Sequence, residues 1–300
     1  MSYRDRPRHH TGIRLVLLCA FVSRWFIFTT ETQRHRERLK FTIGVDHMML
    51  LKPKILRLDS VTSTNTEVAR LAAEGADEGL AIIADEQTAG RGRLRRTWSS
   101  PKGAGLYFSI LLRPGIPPHR WSLVTLMAAL AVGDALQEAA AVQTDIKWPN
   151  DLLSGERKIC GILAEAIDTP GGRAVVLGIG INLTNDAFPA ELTNVATSVS
   201  AAAGRSVERE TILSALSRAL SRWYSLLHET DGCEKIVAVW SSRSSYADGR
   251  EVEVSNGDEI WRGTTCGVEH DGALRLKTDA GEVKLIRAGD VSRVRDSLSR

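Results

Sequence analysis

The spacing of apolar and polar residues predicts alternating strands and helices from Ile55 onward. Within Leu106–Leu112 every second residue is large and apolar, which places these side chains on one face and indicates a core strand. Trp121–Ala140 and Thr211–Leu227 carry apolar residues at helical spacing and predict two helices. Further β-type runs are Leu80–Asp85, Ile159–Ile167 and Ala174–Ile181. This alternation indicates an α+β fold.

A shorter helix is predicted to begin at Thr64, because Glu67 follows three residues later in the spacing of a capping box. Gly75 is predicted to end this helix, since glycine readily adopts the left-handed conformation found at helix C-termini.

After about Asp248 the pattern changes to short alternating strands. They are predicted at Glu251–Val254, Glu259–Val268, Ala273–Lys277 and Glu282–Ile286. Asn256-Gly257, Asp271-Gly272 and Ala280-Gly281 separate them, and Asn-Gly and Asp-Gly pairs are typical of β-hairpin turns. We therefore predict a small β-barrel over residues 246–300, packed against a larger α+β domain over residues 50–245.

Residues 1–47 differ from the rest of the chain. Their apolar run, Ile13–Phe28, is 16 residues long and is interrupted by Arg24, so it is short for a membrane-spanning helix. No small-residue cleavage site follows it, as a signal peptide requires. The segment is either an irregular basic extension or lies upstream of the true translation start, and Met48 and Met49 favour the second interpretation.

The net charge argues against a general polyanion binder. The 300 residues carry 39 Lys and Arg against 36 Asp and Glu, a balance of +3. Residues 1–47 hold 9 basic and 4 acidic residues, so residues 48–300 hold 30 and 32, a balance of −2. The four cysteines are scattered without metal-binding spacing, which indicates reduced, packed thiols of a cytoplasmic protein.

The segment Ala89–Trp98, A-G-R-G-R-L-R-R-T-W, is the strongest candidate for chemistry. Glycine permits close backbone approach, and arginine pairs with phosphate or carboxylate oxygens through two parallel hydrogen bonds. A run of this kind can also be a solvated basic loop. Its alternation of Gly with Arg, and the core strand that follows, favour an anion-binding loop.

Three further segments accompany it: Lys147–Asp151 (K-W-P-N-D), Arg157–Glu165 (R-K-I-C-G-I-L-A-E) and Gly178–Leu183 (G-I-G-I-N-L). Lys158 directly precedes an apolar strand, so its ammonium group is expected to project from the strand end toward a cleft. The glycines of the third segment allow something to approach the strand closely, although strand glycines also mark simple bulges.

Together with Ser63-Thr64-Asn65, these segments closely resemble a biotin protein ligase from about Ile55 to Arg295. The order and spacing of the motifs match that family and are hard to produce by chance. The resemblance implies a catalytic domain like that of class II aminoacyl-tRNA synthetases, followed by an SH3-like barrel. The sequence is similar to the short form of the family, since residues 1–47 are too short for the winged-helix DNA-binding domain of the long form.

The resemblance also implies roles for individual residues. Biotin binding is implied for Ser63, Thr64, Asn65, Gln87, Arg91, Gly92, Arg93 and Lys158, and nucleotide binding for Arg96, Trp98 and Asn182. Arg93 and Lys158 are the expected catalytic residues. Thr64 could instead serve only as the helix cap. One position departs from the family pattern, because Arg95 replaces the usual third glycine of the loop.

The reaction implied is the activation of biotin by ATP to biotinyl-5′-adenylate and its transfer to a lysine of a biotin carboxyl carrier protein. Such chemistry needs positive charge, alignment and Mg²⁺ on the phosphates rather than a protein nucleophile, so no direct protein ligand to a metal is expected. The body histidines, His119, His228 and His270, lie outside the motifs.

Two alternatives remain open. A lipoate–protein ligase or octanoyltransferase resembles the same fold, although the G-R-G-R loop and K-W-P-N-D favour biotin. A non-catalytic nucleic-acid or biotin-sensing module is the other, and the charge of −2 argues against it. We expect no membrane or nucleic-acid partner, and a monomer or homodimer.

Overall fold

The computed structural model describes residues 51–293 except 187 and 258, all within the second of two compact units of the chain, residues 49–300. The predicted extension, residues 1–47, lies outside the described residues. Cys160 and Cys233 are buried free thiols and Cys266 is a half-buried one, as predicted. Cys19 is not among the described residues.

The larger part of the described chain is built on a seven-stranded sheet, in the order β1-β2-β3-β7-β6-β5-β4. Only β1 and β2 are parallel. The strands are β1 (Lys54–Val61), β2 (Leu80–Gln87), β3 (Gly105–Leu112), β4 (Asp145–Lys147), β5 (Asp151–Ser154), β6 (Arg157–Thr169) and β7 (Gly172–Asn182).

Among the described residues, five α-helices accompany this sheet: α1 (Thr64–Ala73), α2 (Leu123–Ala140), α3 (Val199–Ala203), α4 (Arg209–Leu227) and α5 (Gly232–Ser242). The two long predicted helices correspond to α2 and α4. Sequence reasoning missed the short helices α3 and α5.

Both faces of the central strand β3 are buried. Phe108 and Ile110 belong to the main apolar core, which α2 and α4 complete, whereas Leu111 packs with Val68 of α1 in a smaller core on the opposite face. The prediction of a core strand is confirmed. The structure adds that the alternate residues are buried as well, because helices cover both sides of the sheet.

Helix α2 is the only described helix that is long and apolar enough to cross a membrane. Its 18-residue window is 67% buried inside the molecule, as expected for a helix at the centre of an apolar core. The structure therefore accounts for its apolar character by packing against the sheet and α4.

The capping-box prediction for α1 is wrong. Thr64 is the first helical residue, and Ser63 occupies the cap position without a side-chain capping hydrogen bond. The Thr64 hydroxyl instead donates to Gln87 Oε1, 23 residues further along the chain, at 3.1 Å. The predicted helix end is confirmed, since Gly75 follows the cap Glu74 with a φ of 96°.

The remaining strands form a five-stranded antiparallel sheet in the order β11-β10-β9-β8-β12. They are β8 (Asp248–Asn256), β9 (Glu259–Val268), β10 (Leu274–Thr278), β11 (Val283–Ile286) and β12 (Asp290–Arg293). The predicted strands and hairpins are present, and β12 was not predicted. Among the described residues the two edge strands β11 and β12 do not pair, so the predicted barrel is seen there as an open sheet.

The two sheets are joined by hydrogen bonds close to the candidate motifs. Trp148 Nε1 donates to the carbonyl of Gly272, which lies in the turn between β9 and β10, at 3.0 Å. Ser122, at the start of α2, donates to the neighbouring carbonyl of Asp271. These bonds fix the C-terminal sheet beside the K-W-P-N-D segment.

Candidate active site

The candidate motifs, which are far apart along the chain, come together around a single cavity in the structure. Its walls come from the β1–α1 junction, the end of β2, the segment Gly90–Trp98, the start of β6 and the middle of β7. The predicted residues lining it are Ser63, Thr64, Asn65, Gln87, Arg91, Gly92, Arg93, Arg96, Trp98 and Lys158.

One wall of the cavity is a chain of buried polar side chains. The backbone N–H of Thr64 donates to Gln87 Oε1 at 2.9 Å, and Gln87 Nε2 donates to Ser100 Oγ at 2.7 Å. The Ser109 hydroxyl lies 2.7 Å from Thr64 Oγ1 and 2.6 Å from Asn65 Oδ1. Because buried polar groups must be paired, these bonds hold each side chain in one orientation.

Asn65 connects this polar wall to the arginine-rich segment. Its amide Nδ2 donates to Glu165 Oε2 at 2.9 Å, and the other oxygen of Glu165 forms an ion pair with Arg91. The carboxylate of Glu165 therefore orients one neutral and one cationic side chain of the cavity.

Two glycines of the G-I-G-I-N segment make room for other cavity residues. A Cβ atom added to Gly178 would overlap Asn65 Oδ1. One added to Gly180 would lie 2.6 Å from Trp98 Nε1, too close for any real side chain. The prediction that these glycines permit close approach is confirmed, and Asn65 and Trp98 are what approaches.

Gly90–Trp98 forms a β-hairpin, called here the arginine hairpin. Trp98 N donates to Gly90 O at 2.9 Å, Gly92 N donates to Arg96 O at 2.7 Å, and Arg96 N donates to Arg93 O at 3.1 Å. The tip of the hairpin is therefore a four-residue turn from Arg93 to Arg96.

The arginine hairpin is anchored to the C-terminal sheet. Arg93 Nη1 donates to the carbonyl of Gly289 and to Asn150 Oδ1, both at 3.2 Å, and lies 3.8 Å from Asp290 Oδ1. Arg96 forms an ion pair with the other Asp290 oxygen. Burial lowers the pKa of Arg93, and the negative charge of Asp290 opposes this shift.

Lys158 lies at the start of β6 and faces the cavity, as predicted. Its Nζ is 2.7 Å from Asp151 Oδ1 and 5.1 Å from the centre of the Trp98 ring. Gly161 lies beneath it, and a Cβ there would come within 3.2 Å of Lys158 Nζ. The ammonium group is held by a carboxylate and an aromatic face, with its position open toward the cavity.

A second cavity adjoins the first, and Thr97, Trp98, Tyr107 and Lys158 line both. Apolar side chains from Phe188, Leu192 and Val195 complete the second cavity. Asn182 lines this second cavity and not the first, and its Nδ2 donates to the carbonyl of Thr197 at 3.0 Å.

Several residues of the first cavity were not among the site residues named from the sequence, although five of them lie in the candidate segments. They are Tyr107, Phe108, Asn150, Asp151, Ile162, Leu163, Ile179 and Asp290. Asp151 could have been found, because it ends the K-W-P-N-D motif. Asp290 had no local signal, since it lies on a hairpin strand far along the chain. Among the described residues, no three His, Cys, Asp or Glu side chains form a group suited to a metal ion.

Comparison with known proteins gives the class to which this fold and cavity belong. Residues 57–182 match the biotin/lipoate A/B protein ligase family, and residues 249–294 match the biotin protein ligase C terminal domain. The chain belongs to the biotin protein ligase family.

Individual relatives support this assignment. The bifunctional ligase/repressor BirA of Bacillus subtilis is 38% identical over 237 residues, which are 78% of this chain and 72% of that protein. The biotin--[acetyl-CoA-carboxylase] ligase of Mycobacterium tuberculosis is 34% identical over 239 residues, covering 78% of this chain and 86% of the relative. A solved Aquifex aeolicus biotin protein ligase in complex with biotin and ATP superposes with a TM-score of 0.68, at 32% identity, over 79% of this chain and 97% of that one.

Proposed function

We propose that this protein activates biotin with ATP and transfers it to a lysine of a carrier protein. A biotin carboxylate oxygen attacks the α-phosphorus of ATP, the bond to the β-phosphate oxygen breaks, and pyrophosphate leaves. The lysine amine of the acceptor then attacks the acyl carbon of biotinyl-5′-adenylate. The bond between this carbon and the phosphate oxygen breaks, AMP leaves, and the amine loses a proton.

The observation that carries this proposal is the position of Lys158 and Trp98 between two adjoining cavities. One cavity is polar and cationic, and the other has an apolar lining. A reaction that joins a carboxylate to a nucleotide needs its positive charge at the junction of the two sites. Lys158 and Arg93 are the proposed catalytic residues, because they supply this charge to the carboxylate and the α-phosphate.

The buried polar wall suits the ureido ring of biotin, which has two N–H donors and one carbonyl acceptor. Ser63, Thr64, Asn65 and Gln87 offer hydroxyl and amide groups, and hydrogen bonds orient the last three of these side chains. We assign them to the ring, and the arginine hairpin, through Arg91, Gly92 and Arg93, to the cover over biotin and the adenylate. A closed hairpin keeps water from the reactive intermediate.

The nucleotide is assigned to the second cavity and its border. Trp98 offers an aromatic face to the base, Arg96 can meet the phosphates, and Asn182 shapes the cavity through its bond to Thr197. Mg²⁺ would enter bound to the triphosphate and neutralise part of its charge. The carboxylates that line the first cavity are already paired, Asp151 with Lys158 and Asp290 with Arg96.

Further features of the proposal concern architecture and context. Residues 50–245 would form the catalytic domain of the class II synthetase type, and residues 246–300 an SH3-like domain. The acceptor would be the biotin carboxyl carrier protein of a carboxylase. The protein would act in the cytoplasm as a monomer or homodimer, with neither membrane nor nucleic acid as a partner.

A lipoate or octanoate ligase is not favoured. The first family covers both biotin and lipoate enzymes, but the C-terminal match is to a biotin protein ligase domain and the named relatives are biotin ligases.

The test is incubation of the protein with ATP, Mg²⁺, biotin and a carrier domain, followed by mass measurement of that domain. We expect a gain of one biotinyl group that requires both ATP and the acceptor lysine. Lipoate in place of biotin serves as the comparison, and labelling with lipoate alone would reverse the assignment.

A further inference from the structure

The tip of the arginine hairpin has an unusual backbone conformation. Leu94 has φ 53° and ψ 38°, and Arg95 has φ 61°. Together with the Arg96 N to Arg93 O hydrogen bond, two successive positive φ values define a type I′ turn. Because Gly92 N also donates to Arg96 O, this turn forms the tip of a three-residue hairpin loop, Arg93–Arg95.

The residues in this turn are poorly matched to it. Type I′ turns favour Asn followed by Gly, because a Cβ atom is strained in the left-handed region and a branched apolar side chain gains nothing there. Leu94 is 55% exposed, so its side chain finds little packing to offset the strain. Arg95 is exposed and forms no ion pair with any residue that the structure describes.

Contacts at the two ends of the turn oppose this strain. Arg93 and Arg96 both reach Asp290, and Arg93 also donates to Asn150 and to the Gly289 carbonyl. Two opposing contributions therefore determine whether the hairpin is closed. The C-terminal sheet holds the ends of the turn, whereas the two central residues and the mutual repulsion of the arginines favour opening.

We propose that the Leu94-Arg95 turn sets the closed fraction of the arginine hairpin and thereby how firmly biotin and its adenylate are retained. The hairpin supplies six residues that line the first cavity, so ligand bound there is enclosed only while the hairpin is closed. If biotin binds only to the closed hairpin, its apparent affinity is the affinity of the closed state multiplied by the fraction of molecules that are closed. The inference rests on the proposed function, since it concerns retention of that enzyme's substrate and intermediate.

The experiment replaces the turn with its preferred sequence in the double variant Leu94→Asn/Arg95→Gly. Arg95→Ala is the matched control, because it removes the charge and keeps a Cβ in the left-handed region. Biotin Kd is measured by calorimetry without ATP, and adenylate release is followed with labelled biotin. We expect the double variant to bind biotin about fivefold to tenfold more tightly and to release adenylate more slowly by a similar factor.

Arg95→Ala should show less than half of the gain in biotin affinity that the double variant shows. Across these variants the melting temperature should not change in parallel with biotin affinity. An unchanged Kd in the double variant, or an equal gain in Arg95→Ala, would overturn the inference.

A rescue experiment tests the opposing contact. Asp290→Asn, assayed without ATP, should weaken biotin binding in the native turn by about fivefold. The same Asp290→Asn substitution should weaken biotin binding less in the variant with the Asn-Gly turn, because that turn closes without the ion pairs to Asp290. Equal losses in both backgrounds would count against the inference. If the unaltered protein binds no biotin, the proposed function fails instead, and the two failures are thus distinguishable.

Discussion

The two walls of the first cavity are built on opposite principles. The polar wall is buried and paired: Thr64, Asn65 and Ser109 are at most 4% exposed, and each bonds to a neighbour. The arginine hairpin is exposed and charged, and the Arg96 side chain is 68% accessible. The first wall is fixed before a ligand arrives, and the second is held by ion pairs at its edge.

This difference separates recognition from retention. In the proposed function, the rigid and already ordered polar wall selects the neutral ring of biotin by shape and polarity. A cationic segment held at its edge can open to admit an anion and close over it, and opening breaks the bonds that Arg93 makes to Asn150 and Gly289. Mutations in the polar wall should therefore lower stability together with biotin affinity, whereas mutations in the arginine hairpin should change ligand retention without a parallel change in stability.

The largest effect is expected for Lys158→Ala, which removes the charge at the junction of the cavities. Loss of one electrostatic donor to a developing transition state costs about 10²–10³ in rate. Pyrophosphate exchange into ATP, dependent on biotin, measures this step. The exposed Lys54→Ala of β1 is the control and should keep normal exchange. Near-normal turnover of the Lys158 variant would remove it from the catalytic assignment.

Gly178→Ala tests the rigid wall. Its new Cβ would overlap Asn65 Oδ1, so the amide must leave its bonds with Ser109 and Glu165. Overpacking of this kind costs about 1–3 kcal/mol of unfolding free energy, and biotin affinity should fall with it. Thermal unfolding and calorimetry measure both.

The control is to introduce the same change in an Asn65→Ala background, where the obstructing oxygen is gone. The glycine substitution should there cost less than half as much stability. A cost that does not depend on residue 65 would show that Gly178 serves something other than the polar wall.

The sequence predicted the parts of this molecule that local patterns determine. Lys158 could be placed in a cleft because it precedes an apolar strand, and Gly178 could be read as a point of close approach. The cap assigned to Thr64 was wrong because its hydroxyl bonds to Gln87, and no local pattern reveals such a competing partner. The Asp290 contact could not be predicted either, since it joins elements that approach only when the C-terminal sheet docks.

Arg93→Gly tests the hairpin wall. The substitution removes the bonds to Asn150 and Gly289 and the ion pair with Asp290, so the hairpin loses its main anchor. We expect adenylate to escape about tenfold faster and to label bystander lysines. Labelling of an unrelated lysine-rich protein measures the escape. Arg93→Lys, which keeps the charge, should give an intermediate result, and tight retention by the glycine variant would refute this role.

The smallest effect concerns Lys147, whose charge adds to the cationic side of the site from outside the first cavity. Burial is the main cause that lowers the pKa of Lys147. The carboxylates of Asp151 and Asp290 oppose this shift, and the nearby cations Lys158 and Arg96 add to it. As pH rises through this lowered pKa, the charge is lost earlier than for an exposed lysine, and the KM for ATP should rise by about twofold to fivefold.

The stability of the fold changes with pH in the opposite sense to ATP binding. Between the lowered pKa and the ordinary value of 10.5 the unfolded chain binds more protons than the folded one, so the free energy of unfolding contributed by Lys147 rises with pH. Pyrophosphate exchange isolates the first step from titration of the acceptor lysine. Lys147→Arg keeps its charge throughout and should show a flat KM for ATP over the same range. If the arginine variant follows the native profile, another group controls it, and the hairpin wall then acts without help from Lys147.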